Sequence, residues 1–306
     1  MVLFAASLCF PALAQQAFVT NQNSDTLSIV DLPSMQTIAT VPVGGKVAGV
    51  AVSKQGDFAY LASPEGHFVS VVDIKARKVL RKIQLEGGTL GIAVHPSGAP
   101  MYVTDFFGAR VLVVDPANGG IIATIPAGAV PSGLAVTRDG ALLLVADRDD
   151  NQVAFIDTAT LQSVGAVKTG EHPFGITIDP EGKRAYAGNV TEDSVSVIDI
   201  AAQKIIGTVK TGTRPYGIAL AQGRAFVSNQ YADTVSVFDT ATLQPLATIP
   251  VGDYPEGIDV SPDGKTVYVA CWFANELDAI DVATMKVTGK AETGDGPRAF
   301  GLFVVP

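Results

Sequence analysis

The chain repeats a short motif about every 42 residues. An aspartate that ends a β-branched run recurs seven times, at Asp31, Asp73, Asp115, Asp157, Asp199, Asp239 and Asp281. A glycine that begins a Gly-aliphatic-x-aliphatic run keeps the same spacing at Gly49, Gly91, Gly133, Gly175, Gly217 and Gly257, and Gly301 comes two residues late. A repeat of this length made of short strands predicts a β-propeller, because one four-stranded sheet cannot bury both faces until neighbouring sheets stack on it.

One repeat divides into four short strands. In the fifth copy these are residues 175–178, 185–188, 194–199 and 204–210, separated by tight turns of Gly, Pro, Asp and Thr. The repeated aspartate ends the third strand, where its carboxylate can accept hydrogen bonds from turn N–H groups. The linker between blades then lies on the same face as the loop between the second and third strands, and functional residues are expected on that face.

The ends of the repeat predict how the ring closes. The first copy begins with a second-strand sequence, residues 17–21, and residues 300–305 read as a first strand that nothing follows. The last strand should therefore complete the first blade, which removes a free sheet edge. The predicted fold is all-β: a seven-bladed propeller of four-stranded antiparallel blades, closed by the C-terminal strand.

The first 14 residues have a different composition from the repeats. They are apolar and end in Ala12-Leu13-Ala14, which is typical of a secretory signal peptide, although no Lys or Arg precedes the apolar run. The alternative is an irregular first strand or a buried N-terminal helix. We therefore predict a signal peptide over residues 1–14, a propeller over residues 15–306, and a periplasmic or secreted location. Cys271 is then the only cysteine of the mature chain, so no intramolecular disulfide can form.

Composition and charge narrow the classes of function. An apolar content of 47% with 17% charged residues excludes a disordered chain, and no later apolar run is long enough to be a transmembrane segment. The formal charge is −9. Acidic residues also outnumber basic ones in the loops of the expected functional face, which argues against nucleic acid as a partner because phosphate binding needs a basic surface.

Three second-strand sequences carry a family resemblance. They are Ala17-Phe18-Val19-Thr20-Asn21, Met101-Tyr102-Val103-Thr104-Asp105 and Ala225-Phe226-Val227-Ser228-Asn229. Each is followed by a Val-rich strand that ends in or beside the repeated aspartate, and by a Val/Ile-Pro-x-Gly tail. The chain resembles the YVTN-type β-propeller repeat family over its whole repeat region. The resemblance implies an exported seven-bladed binding or accessory protein, with a periplasmic redox enzyme as a possible partner, but it fixes no activity.

The linkers between blades supply candidate ligand-binding residues. Most contain Pro-x-Gly, and the residue before Gly should lie near the mouth of the central channel. In the later blades these positions and their neighbours are aromatic or charged: His172, Phe174, Arg214, Tyr216, Tyr254, Glu256, Arg298 and Phe300. Aromatic rings beside Arg, His and Glu indicate a pocket for a small polar, partly flat ligand. The alternative is that the rings pack one blade on the next and the charges face solvent.

The loops between the second and third strands carry a second group of aromatic residues. They are Phe106, Phe107, Tyr231, Trp272 and Phe273, at positions where other repeats have small polar residues. If these side chains are exposed they form a surface for a protein partner. The alternative is that they fold over the top of their blades.

Catalysis, metals and a purely structural role are the remaining alternatives. Some seven-bladed propellers are lactonases or lyases, and Glu256 as base with His172, Arg214 and Arg298 would form a workable catalytic set. Three histidines and no Cys-x-x-Cys-His argue against an intrinsic metal or haem cofactor. A carboxylate site for calcium around Asp147, Asp149 and Asp150 is the only metal alternative. The sequence favours a non-catalytic propeller without a cofactor that binds a small polar ligand or a protein partner; a channel-mouth hydrolase and a plain scaffold are the alternatives.

Overall fold

A computed structural model describes residues 15–305 of the chain. The elements in this range are all strands joined by turns and loops. Within the same range, no helix has the length and apolarity needed to span a membrane. The predicted signal peptide, residues 1–14, lies outside the described residues.

The strands form seven sheets, which are the blades of a propeller. Blade 1 contains β1 (Gln16–Asn21), β2 (Thr26–Asp31), β3 (Gln36–Pro42) and β29 (Val304–Val305) from the end of the chain. Blade 2 contains β4 (Gly49–Val52), β5 (Phe58–Ser63), β6 (Phe68–Asp73) and β7 (Lys78–Gln84), with β28 (Phe300–Leu302) beside β4. Blade 3 contains β8 (Thr89–Val94), β9 (Met101–Asp105), β10 (Arg110–Val114) and β11 (Ile121–Pro126).

Blades 4 to 7 follow the same pattern, each with four strands in chain order. Blade 4 contains β12 (Pro131–Val136), β13 (Leu142–Asp147), β14 (Gln152–Asp157) and β15 (Gln162–Lys168). Blade 5 contains β16 (Pro173–Ile178), β17 (Arg184–Asn189), β18 (Ser194–Asp199) and β19 (Lys204–Lys210). Blade 6 contains β20 (Pro215–Ala221), β21 (Arg224–Asn229), β22 (Thr234–Asp239) and β23 (Pro245–Pro250). Blade 7 contains β24 (Pro255–Val260), β25 (Thr266–Cys271), β26 (Glu276–Asp281) and β27 (Lys286–Glu292).

Burial along the strands explains why the sequence folds this way. In blade 5, five of the six residues of β17 are buried, whereas β19 buries only Val209. The second strand is covered on both faces by neighbouring blades, so the residues between its two ends are mostly apolar or small. The fourth strand lies at the rim and faces solvent. Apolar side chains of adjacent blades pack together, as Phe226 of blade 6 and Val269 of blade 7 do in one cluster.

The repeated aspartates stabilise the turns that follow them, as predicted. Asp157 Oδ1 accepts hydrogen bonds from the backbone N–H groups of Ala159 and Thr160, at 3.1 and 2.7 Å. Asp239 makes the same pair of contacts in blade 6. These donors stabilise the charged form and lower the pKa of both carboxyl groups. The aspartate period is therefore a signature of the fold and not of a ligand site.

Each linker is attached to loops of two blades. Arg214 adopts a left-handed φ of 58°. Its N–H donates to Asp193 Oδ1 in the loop of the preceding blade, at 2.8 Å, and its carbonyl accepts from the N–H of Gln230 in its own blade, at 2.9 Å. Linkers and second-to-third-strand loops therefore share one face, here called the loop face, as predicted. The tight turns lie on the opposite face, here called the turn face.

The C-terminal segment closes the ring. Val304 and Val305 pair antiparallel with Ala17 and Gln16 of β1, and the N–H of Phe18 donates to the carbonyl of Phe303. The N–H of Arg298 also donates to the carbonyl of Thr20, at 2.7 Å. The last strand therefore completes the first blade, as the sequence predicted.

The closing segment is divided, however, and the prediction of one strand over residues 300–305 was too simple. Phe300–Leu302 forms β28, which pairs in parallel with β4 of blade 2, and only Val304–Val305 continues along β1. The two extra residues before Gly301 explain the division. Pro297 bridges to Asn21 and Val304 pairs with Ala17, and the two extra residues have to be accommodated in the segment between these two pairings. The surplus chain bulges towards the centre of the ring.

Candidate functional site

Three aromatic side chains fill the loop-face end of the central channel. Phe174, Tyr216 and Phe300 are buried and touch one another, with ring centroids 4.5 to 5.6 Å apart. Ala48 and Leu90, from the linkers of blades 2 and 3, pack against them. The residues predicted to point at the channel mouth do converge there. They form a closed group, here called the aromatic plug.

A buried ion pair lies beside the aromatic plug. Arg298 Nε is 2.8 Å from Glu256 Oε2, and the Arg298 guanidinium also donates to the Tyr216 hydroxyl at 2.7 and 3.2 Å. Glu256 is only 2% exposed, whereas 21% of the Arg298 side chain reaches solvent. The two-residue insertion near the C-terminus therefore directs Arg298 into the ring, against a carboxylate from the neighbouring blade.

Burial and charge act in opposite directions on this pair. Burial raises the pKa of Glu256, and the positive charge of Arg298 lowers it in part. Burial lowers the pKa of Arg298, but the negative charge of Glu256 and the contacts with Tyr216 together outweigh this effect and leave the pKa above its usual value. Burial also raises the pKa of the Tyr216 hydroxyl. Tyr216 therefore stays neutral and acts as a hydrogen-bond acceptor for the guanidinium.

Two glutamines complete the cluster, and sequence reasoning missed both. Gln230 Nε2 donates to Glu256 Oε1 at 2.7 Å, and Gln22 Oε1 accepts from Arg298 at 3.0 Å. Each follows the asparagine that ends a second strand, so an Asn-Gln pair in blades 1 and 6 was the available signal. With these contacts, Glu256 Oε1 and the Arg298 guanidinium have hydrogen-bond partners within the protein. Glu256 Oε2 has the ion-pair contact with Arg298 but, among the described residues, no hydrogen bond.

An aromatic row crosses the loop face over blades 6 and 7. Tyr254 stands between Tyr231 and Phe273, with ring centroids 5.4 and 4.8 Å from theirs, and the Arg214 guanidinium lies 4.3 Å above the Tyr231 ring. Tyr231 is 54% exposed and Phe273 is 66% exposed. The aromatic row therefore joins predicted ligand residues, Arg214 and Tyr254, to predicted partner residues, Tyr231 and Phe273.

The other predicted partner residues are distributed unevenly. Trp272 is half-buried, and the Arg298 guanidinium lies 5.4 Å from its ring. On blade 3, Phe106 packs against the aromatic plug, whereas Phe107 is 77% exposed and contacts Phe106 edge to face. Two of the five aromatics are thus held by the plug or by Arg298. Three project into solvent.

The structure brings together only half of the predicted catalytic set. Glu256 and Arg298 are in contact, but the imidazole of His172 lies beside Thr191 at 3.1 Å and Asp149 at 3.9 Å. Arg214 is stacked on Tyr231. Glu256, the proposed base, is buried against its two partners. A role for these residues in binding or catalysis stays a prediction.

The carboxylates considered for calcium have separate partners. Asp147 accepts a hydrogen bond from Gln152 at 3.1 Å, Asp149 pairs with Arg148, and Asp150 accepts one from the N–H of Ala129. In residues 15–305, no group of three or more His, Cys, Asp or Glu side chains is arranged to hold a metal ion.

Below the aromatic plug, the channel is an apolar cavity of about 330 Å³. The inner strands of blades 2 to 7 and β28 line it, and Phe300 of β28 forms part of its closed end. Half-buried residues at the far ends of the inner strands, such as Val94 and Val136, place its opening on the turn face. Of the lining residues, all in the described part of the chain, only Asp259 is ionisable.

Sequence reasoning missed Asp259, although it interrupts the repeat. It occupies a position that is Ala or Thr in blades 2 to 6: Ala51, Ala93, Ala135, Thr177 and Ala219. Its carboxylate accepts the backbone N–H groups of Phe303 and Val304, at 2.8 and 2.9 Å. Burial raises its pKa to about 6, and these hydrogen bonds oppose the effect. Asp259 thus fastens the closing segment at the wall of the cavity.

Two family models match parts of the chain. A model described as a YNCE-like β-propeller matches residues 186–304, and a model described as a seven-bladed β-propeller lactonase matches residues 115–209. The chain is a seven-bladed β-propeller. The resemblance to YVTN-type repeat proteins is thereby confirmed for the fold.

Solved structures give the same result at low sequence identity. A chain of hydrazine synthase from Kuenenia stuttgartiensis is 21% identical with a TM-score of 0.75, and the match covers 83% of this chain and 89% of that one. A functionally unknown protein from Desulfotomaculum acetoxidans DSM 771 is 15% identical with a TM-score of 0.80, over 94% and 99% of the two chains. No curated protein matches. At these identities the similarity concerns the fold alone.

Proposed function

We propose that this protein is an exported, non-catalytic propeller that binds a protein partner through its loop face. The observation that carries the proposal is the aromatic row of Arg214, Tyr231, Tyr254 and Phe273. Tyr, Phe and Arg are residue types from which binding hot spots are commonly built, and stacked rings lose little conformational entropy when a partner covers them.

The rigidity of the row supports this function. The N–H of Tyr254 donates to Asp233 Oδ1 at 2.8 Å, and its carbonyl accepts from the N–H of Trp272. The N–H of Arg214 is held by Asp193 in the same way. The residues that carry the row are therefore fixed by the linker geometry, and partner binding would not have to order them. The predicted export agrees with this function and is part of the proposal.

Charge indicates the chemistry of the partner. The loop-face loops contain more acidic than basic residues: Asp25, Glu65, Asp105, Asp147, Asp149, Asp150, Glu192, Asp193, Asp233 and Glu276 against Lys46, Arg110, Arg148, Arg214 and Arg298. A partner surface with basic residues around an apolar centre would complement the row and its acidic surroundings. The same charge argues against nucleic acid.

The closed end of the channel favours a protein over the small polar ligand. The buried rings of the aromatic plug occupy the place where that ligand was expected, and Glu256 and Arg298 are already paired. The match to a chain of hydrazine synthase supports association with an enzyme only by analogy of fold. An accessory role beside a periplasmic redox enzyme is therefore one outcome of the experiment below.

The test is comparative capture from the native envelope with three forms of the protein. The wild type and a Tyr231→Ser/Phe273→Ser variant are compared with a control, Ile122→Ser/Leu246→Ser. The control removes equally exposed apolar side chains from the outer strands. We expect one partner to be captured by the wild type and the control and to be reduced at least about tenfold with the row variant. Equal capture by all three forms, or no specific partner, would contradict the proposal.

Catalysis is the second outcome to be measured, because a lactonase model matches residues 115–209. The purified protein is tested for hydrolysis of lactones of several ring sizes, with Glu256→Gln as the comparison. We expect no turnover above the uncatalysed rate. Turnover that disappears in Glu256→Gln would replace the binding function with the hydrolase alternative.

A further inference from the structure

We propose that the channel cavity on the turn face is a binding site for a small apolar molecule without a negative charge. This site is separate from the loop-face site, since the aromatic plug stands between them. A volume of about 330 Å³ is within the range of small-molecule sites in proteins. Sites of this kind are mostly apolar and contain a few fixed polar groups.

The walls of the cavity are mostly apolar. They are formed by aliphatic residues of the inner strands, for example Ile92, Leu134, Ile176 and Ile218. Leu302 of β28 also lines the cavity and is 70% exposed, which makes it one of the most exposed apolar side chains of residues 15–305. A bound apolar molecule would remove these surfaces from water.

The inner strands also supply polar groups that are uncharged. In each of blades 3 to 7 the strand facing the channel is the last of its sheet, so alternate N–H and C=O groups of that strand have no strand partner. In blade 2, β28 already pairs with this inner edge of β4. The chain itself therefore shows that the inner edges can accept hydrogen-bonding groups from a segment within the channel.

Charge selects the class of molecule. Asp259 is the only ionisable residue in the lining, and its carboxylate is held in place by the N–H groups of Phe303 and Val304. An anion in the cavity would meet this carboxylate with no cation nearby to offset it. A neutral or cationic molecule would not be repelled. An alkyl alcohol or an alkyl amine therefore represents the expected class.

The experiment uses a neutral fluorescent probe, N-phenyl-1-naphthylamine, whose emission rises in apolar surroundings. The probe is titrated into the purified protein and then displaced with 1-octanol, n-octylamine or octanoate. We expect octanol and octylamine to displace it at concentrations at least about tenfold lower than octanoate. The Asp259→Asn variant keeps a hydrogen-bond acceptor and should reduce this difference.

Two variants fill the cavity and one serves as a matched control. Ala93→Leu and Ala135→Leu place larger side chains at half-buried positions of the lining, and Ala166→Leu places one on the exposed outer strand of blade 4. We expect the two channel variants to weaken probe binding at least about tenfold, because each adds three carbon atoms to the cavity wall and removes that room from the probe. The control should bind as the wild type does. Thermal unfolding curves verify that all three variants are folded.

Three outcomes would overturn the proposal. They are absence of probe binding, displacement by octanoate as efficient as by octanol, and unchanged binding in both Ala93→Leu and Ala135→Leu. The Tyr231→Ser/Phe273→Ser variant is titrated in parallel. If that variant alone loses the probe, the molecule binds at the aromatic row and the cavity is not its site. The result is thus independent of whether the loop face binds a protein.

Discussion

The two ends of the central channel differ, although the same seven repeats build both. At the loop-face end, Phe174, Tyr216 and Phe300 fill the space, and the Arg298–Glu256 pair is buried beside them. At the turn-face end, aliphatic residues surround an open cavity with one carboxylate in its wall. The repeat makes the channel, and departures from the repeat decide which end is closed.

The departures are few and lie in the late blades. The linker positions that hold Phe174, Tyr216 and Glu256 are Ala48, Leu90 and Ser132 in the early blades. Large side chains from one half of the ring therefore cross the axis and meet small ones from the other half. A regular ring of small residues would leave both ends open, so the asymmetry of the sequence produces the asymmetry of the channel.

The largest effect is expected when the aromatic plug itself is truncated. Phe300→Ala removes a buried ring that contacts two others, and we expect it to lower the free energy of unfolding by about 3–5 kcal/mol. Phe107→Ala removes a ring that is 77% exposed and should change the free energy of unfolding by less than about 0.5 kcal/mol. Denaturant unfolding of both variants measures the difference. Similar losses in the two would show that the plug does not close the channel.

The next effect concerns the ion pair beside the plug. Arg298→Met leaves the buried Glu256 carboxylate without its cation, and we expect a loss of about 3 kcal/mol near neutral pH. Adding Glu256→Gln should recover part of that loss, because the uncompensated charge is then removed. Lys265→Met, which breaks the exposed pair with Asp263, is the control and should have little effect. If the double variant is less stable than Arg298→Met, the pair does not act as described.

A smaller effect on stability is expected from Asp259, in the wall of the cavity at the turn-face end. The pKa of Asp259 is about 6 in the folded protein and about 3.8 in an unfolded chain. The folded protein binds the proton of the Asp259 carboxyl group more tightly than the unfolded chain does. The contribution of protonated Asp259 to stability is therefore full below about pH 4 and is lost as the pH rises through 6. We expect the stability gain between pH 7.5 and pH 4 to be about 2 kcal/mol larger in the wild type than in Asp259→Asn. Equal pH profiles would contradict the assignment.

The smallest effect on stability is expected at Leu302. Because this side chain is 70% exposed, Leu302→Ser should change the free energy of unfolding by less than about 0.5 kcal/mol. The same substitution removes an apolar wall of the cavity, so it should weaken binding of the naphthylamine probe severalfold. A large loss of stability with unchanged probe binding would mean that Leu302 serves ring closure and not the cavity.

The fold could be predicted from the sequence because the repeat is periodic and because each strand and turn is determined by residues close to it in the chain. The strands of residues 194–199 and 204–210 were predicted with the bounds observed, since turn residues flank both. The role of the repeated aspartates was also predicted correctly, because it depends on neighbours two or three residues away. Ring closure followed from the phase of the repeat at the two ends.

The site could be predicted only in part, because it depends on contacts across the ring. The sequence placed Tyr216 and Glu256 near the channel mouth and left open whether Arg298 enters the channel or turns outward. It could not show that they pair with one another, since Tyr216 and Arg298 are 82 residues apart in the chain. It also missed Asp259, whose partners are backbone groups of the divided C-terminal segment.

The most direct test of the closed and open ends is the rate at which single cysteines react with a small methanethiosulfonate reagent. Ala48→Cys places a thiol within the buried group around the aromatic plug, and Ala93→Cys places one in the wall of the cavity. Both are made in a Cys9→Ser background, where the native Cys271 is buried. We expect Ala93→Cys to react at least about a hundredfold faster, because the Ala48 position is reached only after local opening. Equal rates, or faster reaction at Ala48→Cys, would contradict the assignment of the two ends.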